Sequence, residues 1–252
     1  MHEGAPVTDP AGVGGSMNAP AAYPTAAVAP WWHAALVVAV LLGGSLFNAR
    51  QMHRVGLASH HAAHYLGGIC VELLLLLLTW WGLRMRRVRM ADVLGFRPGE
   101  LGRDIGAAAI FWILAVVVLA CIGFVLRLLH FATPEKAIAA LAPQSALEML
   151  LWIALSATAG FVEEFVFRGY FLRQFASARH ALWLGVVGSS LLFGCSHAYE
   201  GAAGMIAITA YGALFCGLAI LRRSLRPGMI AHAWHDIFSG AMLALAHHLH
   251  AL

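Results

Sequence analysis

Phe161-Val-Glu-Glu-Phe-Val-Phe-Arg-Gly-Tyr170 places three ionisable side chains, Glu163, Glu164 and Arg168, inside a run that is otherwise apolar. On a helix Glu164 and Arg168 stand four residues apart and can pair, while Glu163 points about a quarter-turn away. An ionised side chain near a bilayer centre costs roughly 2.5–3.5 kcal/mol on insertion scales. Three unpaired ones would cost about 8–10 kcal/mol, comparable to the net stability of a whole domain. Such groups persist only with a compensating partner or a use. A structural ion pair accounts for Glu164 and Arg168. Glu163 has no local partner and is the first candidate for chemistry.

The rest of the chain decides what surrounds this stretch. Of 252 residues, 61% are hydrophobic and 11% charged, and mean hydropathy is +0.77. Soluble domains run near a quarter charged, so the composition is that of an all-α, multi-span membrane protein. The net charge of +4 does not point to nucleic acid, because the arginines sit in loops between apolar spans. Cys70, Cys121, Cys195 and Cys216 are too scattered for a disulfide framework or a CxxC metal site and read as buried small apolar residues.

Residues 1–30 are rich in Ala, Pro and Gly and lack Lys and Arg, so they read as a disordered tail rather than a secretory signal. Taking about 20 apolar residues per span, the expected spans are Trp31–Phe47, Tyr65–Leu83, Ile105–Leu129, Leu147–Phe175, Leu182–Tyr199, Met205–Leu221 and Met229–Leu249. These seven divide into N-terminal helices over 31–130 and a core over 145–252. The fourth is long and the fifth short, ending at a tight corner, Tyr199-Glu-Gly-Ala-Ala-Gly204. Trp31, Trp32, Trp80, Trp81 and Trp183 sit at span ends, as interfacial anchors do.

Twelve of the 16 basic residues fall on one side. Arg84, Arg86, Arg87, Arg89, Arg97 and Arg103 follow span two, Arg173 and Arg179 span four, and Arg222, Arg223 and Arg226 span six, with Arg168 inside span four towards the same side. Arg50, Arg54, Arg127 and Lys136 lie opposite. The excess places the even loops and the N-terminus in the cytoplasm of an inner or plasma membrane. The Arg84–Arg89 run reads as an anchor on anionic lipid.

At about 1.5 Å per residue, Glu163 lies roughly 18 Å, His197 roughly 21 Å, and His232 and Asp236 roughly 8–14 Å from the cytoplasmic end. Three helices thus bring ionisable groups to overlapping depths. Phe193-Gly-Cys-Ser-His197 sets an aromatic ring one turn before a histidine. His232-Ala-Trp-His-Asp236 puts His232 and Asp236 on one helix face, with His235 turned away.

Glu163-Glu164-xxx-Arg168, Phe193-xxx-His197 and His232-xxx-Asp236 together resemble the EExxxR, FxxxH and HxxxN/D signature of the CAAX protease and bacteriocin-processing family of intramembrane proteases. The resemblance covers about 145–240, and Leu94-Gly95-Phe96 is also similar to the family. It implies a glutamic-type membrane endopeptidase cutting a membrane-associated protein or peptide near its C-terminus. Carried over, Glu163 is the base activating a water and His197 helps hold that water. His232 and Asp236 stabilise the oxyanion, and Glu164 with Arg168 is a supporting pair that tunes Glu163. Many relatives carry Asn where this chain has Asp236. An ionised Asp cannot donate to an oxyanion, so Asp236 is either protonated or orients His232.

Glu163, His197 and His232 are also the ligand types of a catalytic zinc site. The expectation is metal-free chemistry with no cofactor, and zinc is the alternative. Two other classes fit a buried Glu and His: a proton-coupled transporter, disfavoured by the lack of a visible repeat, and a catalytically silent scaffold or immunity protein of the same fold. Glu72 interrupts the apolar run of span two with no assigned role. His60, His61, His64, His247, His248 and His250 read as adventitious metal binders at most. Tyr211, Gly212 and Gly217 are expected to permit close helix packing.

Overall fold

The structure is a computed structural model that describes residues 26–54, 61–131 and 141–249, with the side chains of 51–54 also outside the description. Residues 1–25 of the expected tail, and His60, Lys136 and His250, therefore lie outside the described residues, as does the Arg54 side chain. Among the described residues every regular element is helical. The helices are α1 (Trp31–Arg54), α2 (His61–Met85), α3 (Met90–Leu94), α4 (Leu101–Leu128), α5 (Ala146–Glu163), α6 (Leu172–Ala176), α7 (Leu182–Ser196), α8 (Gly201–Arg222) and α9 (Arg226–His248). Five helical stretches are long and apolar enough to cross a membrane: Trp31–Arg50, His61–Met85, Leu101–Leu128, Ala146–Ala176 and Ala198–Arg222. α7, at 15 residues, spans only about 22 Å, short of a hydrocarbon core of about 30 Å.

The central rod is α5, a π-helical stretch over Glu164–Phe171, and α6. Ser145 starts it as an N-cap accepting from Glu148 N at 3.2 Å, while Glu148 reaches back to Gln144 N at 2.7 Å, a variant of the capping box. Glu148 also lies 3.5 Å from His61 Nδ1, so that histidine is tied into the helix start. The expected fourth helix is continuous, but its register widens within the decisive stretch. All eight residues of the π segment are buried, and Ser189 Oγ donates to the Phe167 carbonyl at 2.7 Å. A π turn is rare and concentrates at functional sites because it re-aims side chains that an α-helix would stack.

α2 and α9 pack along α5, α4 packs on α9 and α8, and α7 packs on α6 and α8. A Cβ at Gly160 would stand 2.8 Å from Ala233 N and 2.9 Å from Met229 O, so only glycine lets α9 approach α5 one turn before Glu163. Gly212 similarly faces Ser190 and Phe193, whereas Gly217 has no neighbour within 4 Å and plays no such part. Only Cys216 is buried; Cys70, Cys121 and Cys195 are exposed. In a bilayer an apolar side chain faces lipid as readily as core, and apolar surroundings in sequence do not separate the two. Leu73, Leu74, Leu77, Ile110, Ile113 and Leu114 point outward for the same reason.

Three loops meet at one end. Leu225 N donates to Leu94 O at 2.9 Å, and Arg173 donates to the Asp92 and Val93 carbonyls at 3.2 Å each. Arg226 lies 4.6 Å from the Phe96 ring centroid. Buried Asp104 accepts from Arg222 at 3.0 Å and Arg226 at 3.2 Å. Charges that the sequence offers only as topology markers thus also clamp α4, α8 and α9 together. At this end Gln174 binds the Val28 and Ala29 amides at 3.0 Å each, and Tyr170 pairs with His33 at 2.8 Å. Those bonds fix the entry of α1 beside the same loops.

A candidate intramembrane active site

Glu164 and Arg168 are side-chain buried at 1% and 0% exposure and pair at 2.8 Å, as their spacing predicts. Arg168 also donates to the Gly212 carbonyl at 3.2 Å, and its guanidinium lies 4.3 Å from the Phe193 ring and 4.8 Å from the Phe215 ring. Two aromatic faces and a carboxylate thus substitute for water around the cation. Gly228 on α9 leaves room for Glu164, whose Oε2 would stand 2.9 Å from a Cβ there.

Glu164 does not turn towards Glu163. Its Oε1 also accepts from His232 Nδ1 at 3.1 Å, so it fixes an imidazole on α9. The other ring nitrogen, Nε2, faces Glu163 Oε2 at 3.6 Å and Asp236 Oδ2 at 3.7 Å. Both gaps exceed hydrogen-bond length, and Glu163 Oε2 is buried without a hydrogen-bond partner among the described residues. Phe215 stacks on the His232 ring at 5.2 Å. His235 faces Tyr211 instead, with centroids 5.0 Å apart.

α7 ends at His197, and a one-turn 3-10 helix, Ala198–Glu200, leads into α8. Ser45 on α1 satisfies this helix end, donating to Cys195 O at 2.9 Å and accepting from Ala198 N at 3.1 Å. His197 Nδ1 contacts the Phe193 carbonyl at 2.9 Å, which leaves Nε2 as the ring nitrogen outside that bond. The Phe193 ring lies edge-on to both histidines, at 5.0 Å from His197 and 6.0 Å from His232. Asp236 interacts electrostatically with both imidazoles.

All six expected residues therefore lie in one neighbourhood, in two layers. Glu163, His232, Asp236 and His197 line the open side, and Glu164 and Arg168 stand behind His232. Sequence reasoning missed Glu200, which interacts electrostatically with His197 and Glu163, and it missed Phe215. The tight corner was a visible signal for Glu200, while nothing separated Phe215 from the other aromatics. Glu72 of α2, left without a role by the sequence, interacts with Glu163, His232 and Asp236.

Among the described residues no three His, Cys, Asp or Glu side chains stand close enough to share a metal ion. His232 gives Nδ1 to Glu164 and turns Nε2 between two carboxylates. As placed, the donor set Glu163, His197 and His232 does not fit zinc, and no step is derived through a metal.

Residues 143–238 match the family model described as Rce1-like, a type II CAAX prenyl endopeptidase. Over this segment the chain is similar to the Rce1-like family. No curated protein and no solved structure matches the chain. The Rce1-like match begins just before α5 and ends within α9, so it spans the whole constellation from Glu163 to Asp236 and leaves out α1 to α4. With the apolar helices, it implies an integral membrane protease acting on a membrane-associated protein.

Proposed function

We propose that the Rce1-like domain is a glutamic-type intramembrane endopeptidase that cuts a membrane-associated protein or peptide near its C-terminus. The observation that carries this reading is the gap at His232 Nε2, which Glu163 and Asp236 face at 3.6 and 3.7 Å without closing it. A water there has Glu163 as a base on one side and the imidazoles on the other. Glu163 takes a proton from the water as its oxygen attacks the peptide carbonyl, and His197 steadies that water. His232 faces the developing oxyanion. Glu163 then returns the proton to the amine nitrogen as the C–N bond breaks, which restores the site. Fixed groups in a water-poor site act on the oxyanion far more strongly than solvated ones.

Two roles differ from those the resemblance implies. Glu164 and Arg168 act on His232: the Nδ1 contact at 3.1 Å aims the ring, and the guanidinium at 2.8 Å fixes the Glu164 carboxyl in place. Asp236, four residues after His232 on one face, orients that ring and need not bind the oxyanion itself. The even loops and the N-terminus are assigned to the cytoplasm, since the arginine-rich loops gather at one end of the bundle.

The test uses purified protein in detergent and a peptide ending in farnesyl-Cys-Val-Ile-Met, which satisfies the CAAX pattern, with products read by mass spectrometry. Wild type is expected to release the last three residues, and Glu163→Ala to release none while unfolding at the same temperature. A fully active Glu163→Ala overturns the base assignment. Stoichiometric zinc in purified protein, with activity lost on its removal, overturns the metal-free route.

A further inference from the structure

The Rce1-like match does not reach α2, yet α2 carries a carboxylate into the site. Glu72 lies one turn after Gly68, which packs on Leu155 of α5, and one turn before buried Leu75. The three share the α2 face that packs on α5. Its neighbours Leu73, Leu74 and Leu77 point outward, so Glu72 is the polar position on a helix otherwise shaped for lipid. Its Oε2 is buried and has no hydrogen-bond partner among the described residues.

The hydrogen-bonding inventory of the site is lopsided. Glu72, Glu163 and Asp236 supply acceptors, and the two imidazoles are already bonded through Nδ1. A peptide drawn into this site brings main-chain N–H groups that have no water to bond, and each left unpaired costs several kcal/mol. In the proposed reaction the substrate carbonyl and the water are served by His232, His197 and Glu163. Nothing among those residues accepts from the substrate N–H groups. Glu72 is an unbonded acceptor beside them.

Resting on the endopeptidase reading above, we infer that Glu72 is a substrate-binding residue whose Oε2 accepts a main-chain N–H of the peptide flanking the scissile bond. The acceptor function survives in Gln and is lost in Leu, which otherwise suits the apolar helix. Leaving the substrate N–H without an acceptor in a water-poor site is expected to lower kcat/KM about 10- to 100-fold.

The test pairs the protein with singly N-methylated probes. The farnesyl-Cys-Val-Ile-Met peptide is made with a methyl on the Cys, Ile or Met nitrogen in turn, leaving the scissile amide unchanged. In wild type one of the three methyls is expected to lower kcat/KM by about 10- to 100-fold beyond the others. In Glu72→Leu that penalty shrinks to a few-fold, because the acceptor has already gone. Glu72→Gln retains most activity, which excludes simple misfolding. Equal methyl penalties in wild type and Glu72→Leu, or a Glu72→Leu as active as wild type, overturn the role of Glu72 while leaving the endopeptidase intact. A wild type that leaves the unmethylated peptide whole removes the prenyl-peptide reading, and this inference with it.

Discussion

Among the described residues, two clusters of buried or half-buried charge are built on opposite rules. At the loop end, Asp104 sits between Arg222 and Arg226 at 3.0 and 3.2 Å, and Glu100 reaches Arg103 at 2.9 Å. Each carboxylate there has a guanidinium. Around His232, Glu72, Glu163 and Asp236 share one imidazole across 3.6 Å or more, and the nearby guanidinium belongs to Glu164. The first arrangement spends its charges on holding helices together. The second keeps acceptors unspent, which has no structural benefit and supports a chemical use. Glu163 and Glu164 state the contrast within one peptide bond: Glu164 is 1% exposed with two partners, while Glu163 is 14% exposed with an unbonded oxygen.

The largest effect falls on the unspent side. Glu163→Gln keeps size and removes the base, so peptide cleavage should fall about 10²- to 10⁴-fold, with the unfolding midpoint in detergent unchanged. A loss of stability equal to that of the paired residues would erase the difference between the clusters. Arg168→Met comes next and tests the rule from within the site. It strands Glu164 in an apolar core, and breaking a buried pair this way costs about 3–5 kcal/mol. Denaturant titration should show the loss, and Glu164→Gln on top of it should recover most of the stability without restoring activity. Recovery of cleavage in the double variant would mean that Glu164 does not aim His232.

How much of this was legible beforehand follows from the same physics. Lipid demands helices about 20 residues long, so five of the seven expected runs reappear among the described residues as helices long and apolar enough to span, α1, α2, α4, the α5–α6 rod and α8, while the other two reappear as helices α7 and α9 outside those five. The residues of the three motifs were legible because ionisable groups stand out in apolar runs. The π register over Glu164–Phe171 was not, since side-chain identity at Phe165, Val166 and Phe167 carries no signal for one extra residue per turn. Nor was the partner of Glu164. Local spacing pairs it with Arg168, but the bond to His232 spans 68 residues and depends on Gly160 and Gly228 bringing α9 against the rod. α3 escaped notice because five residues make no periodic pattern.

A smaller effect is expected at the loop end. Asp104→Asn removes the charge between two arginines at a position with 2% side-chain exposure. The expected cost is about 1–3 kcal/mol, seen as a lower unfolding temperature, with kcat/KM on the farnesyl peptide unchanged. A fall in activity without a fall in stability would couple the loop clamp to the site and end the division drawn between them.

The smallest effect sharpens the site itself. Asp236 and Glu163 face the same His232 nitrogen at nearly equal distances, so geometry alone does not rank them. Chemistry does. A base must take up a proton and release it again, whereas a group that orients the imidazole needs only an acceptor oxygen, and Asn supplies one. Asp236→Asn should therefore keep cleavage within about tenfold of wild type, with kcat reduced more than KM is raised. If Asp236→Asn falls as far as Glu163→Gln, the two carboxylates act as one unit. The proton taken from water would then belong to the pair, and Glu163 would lose its separate standing as the base.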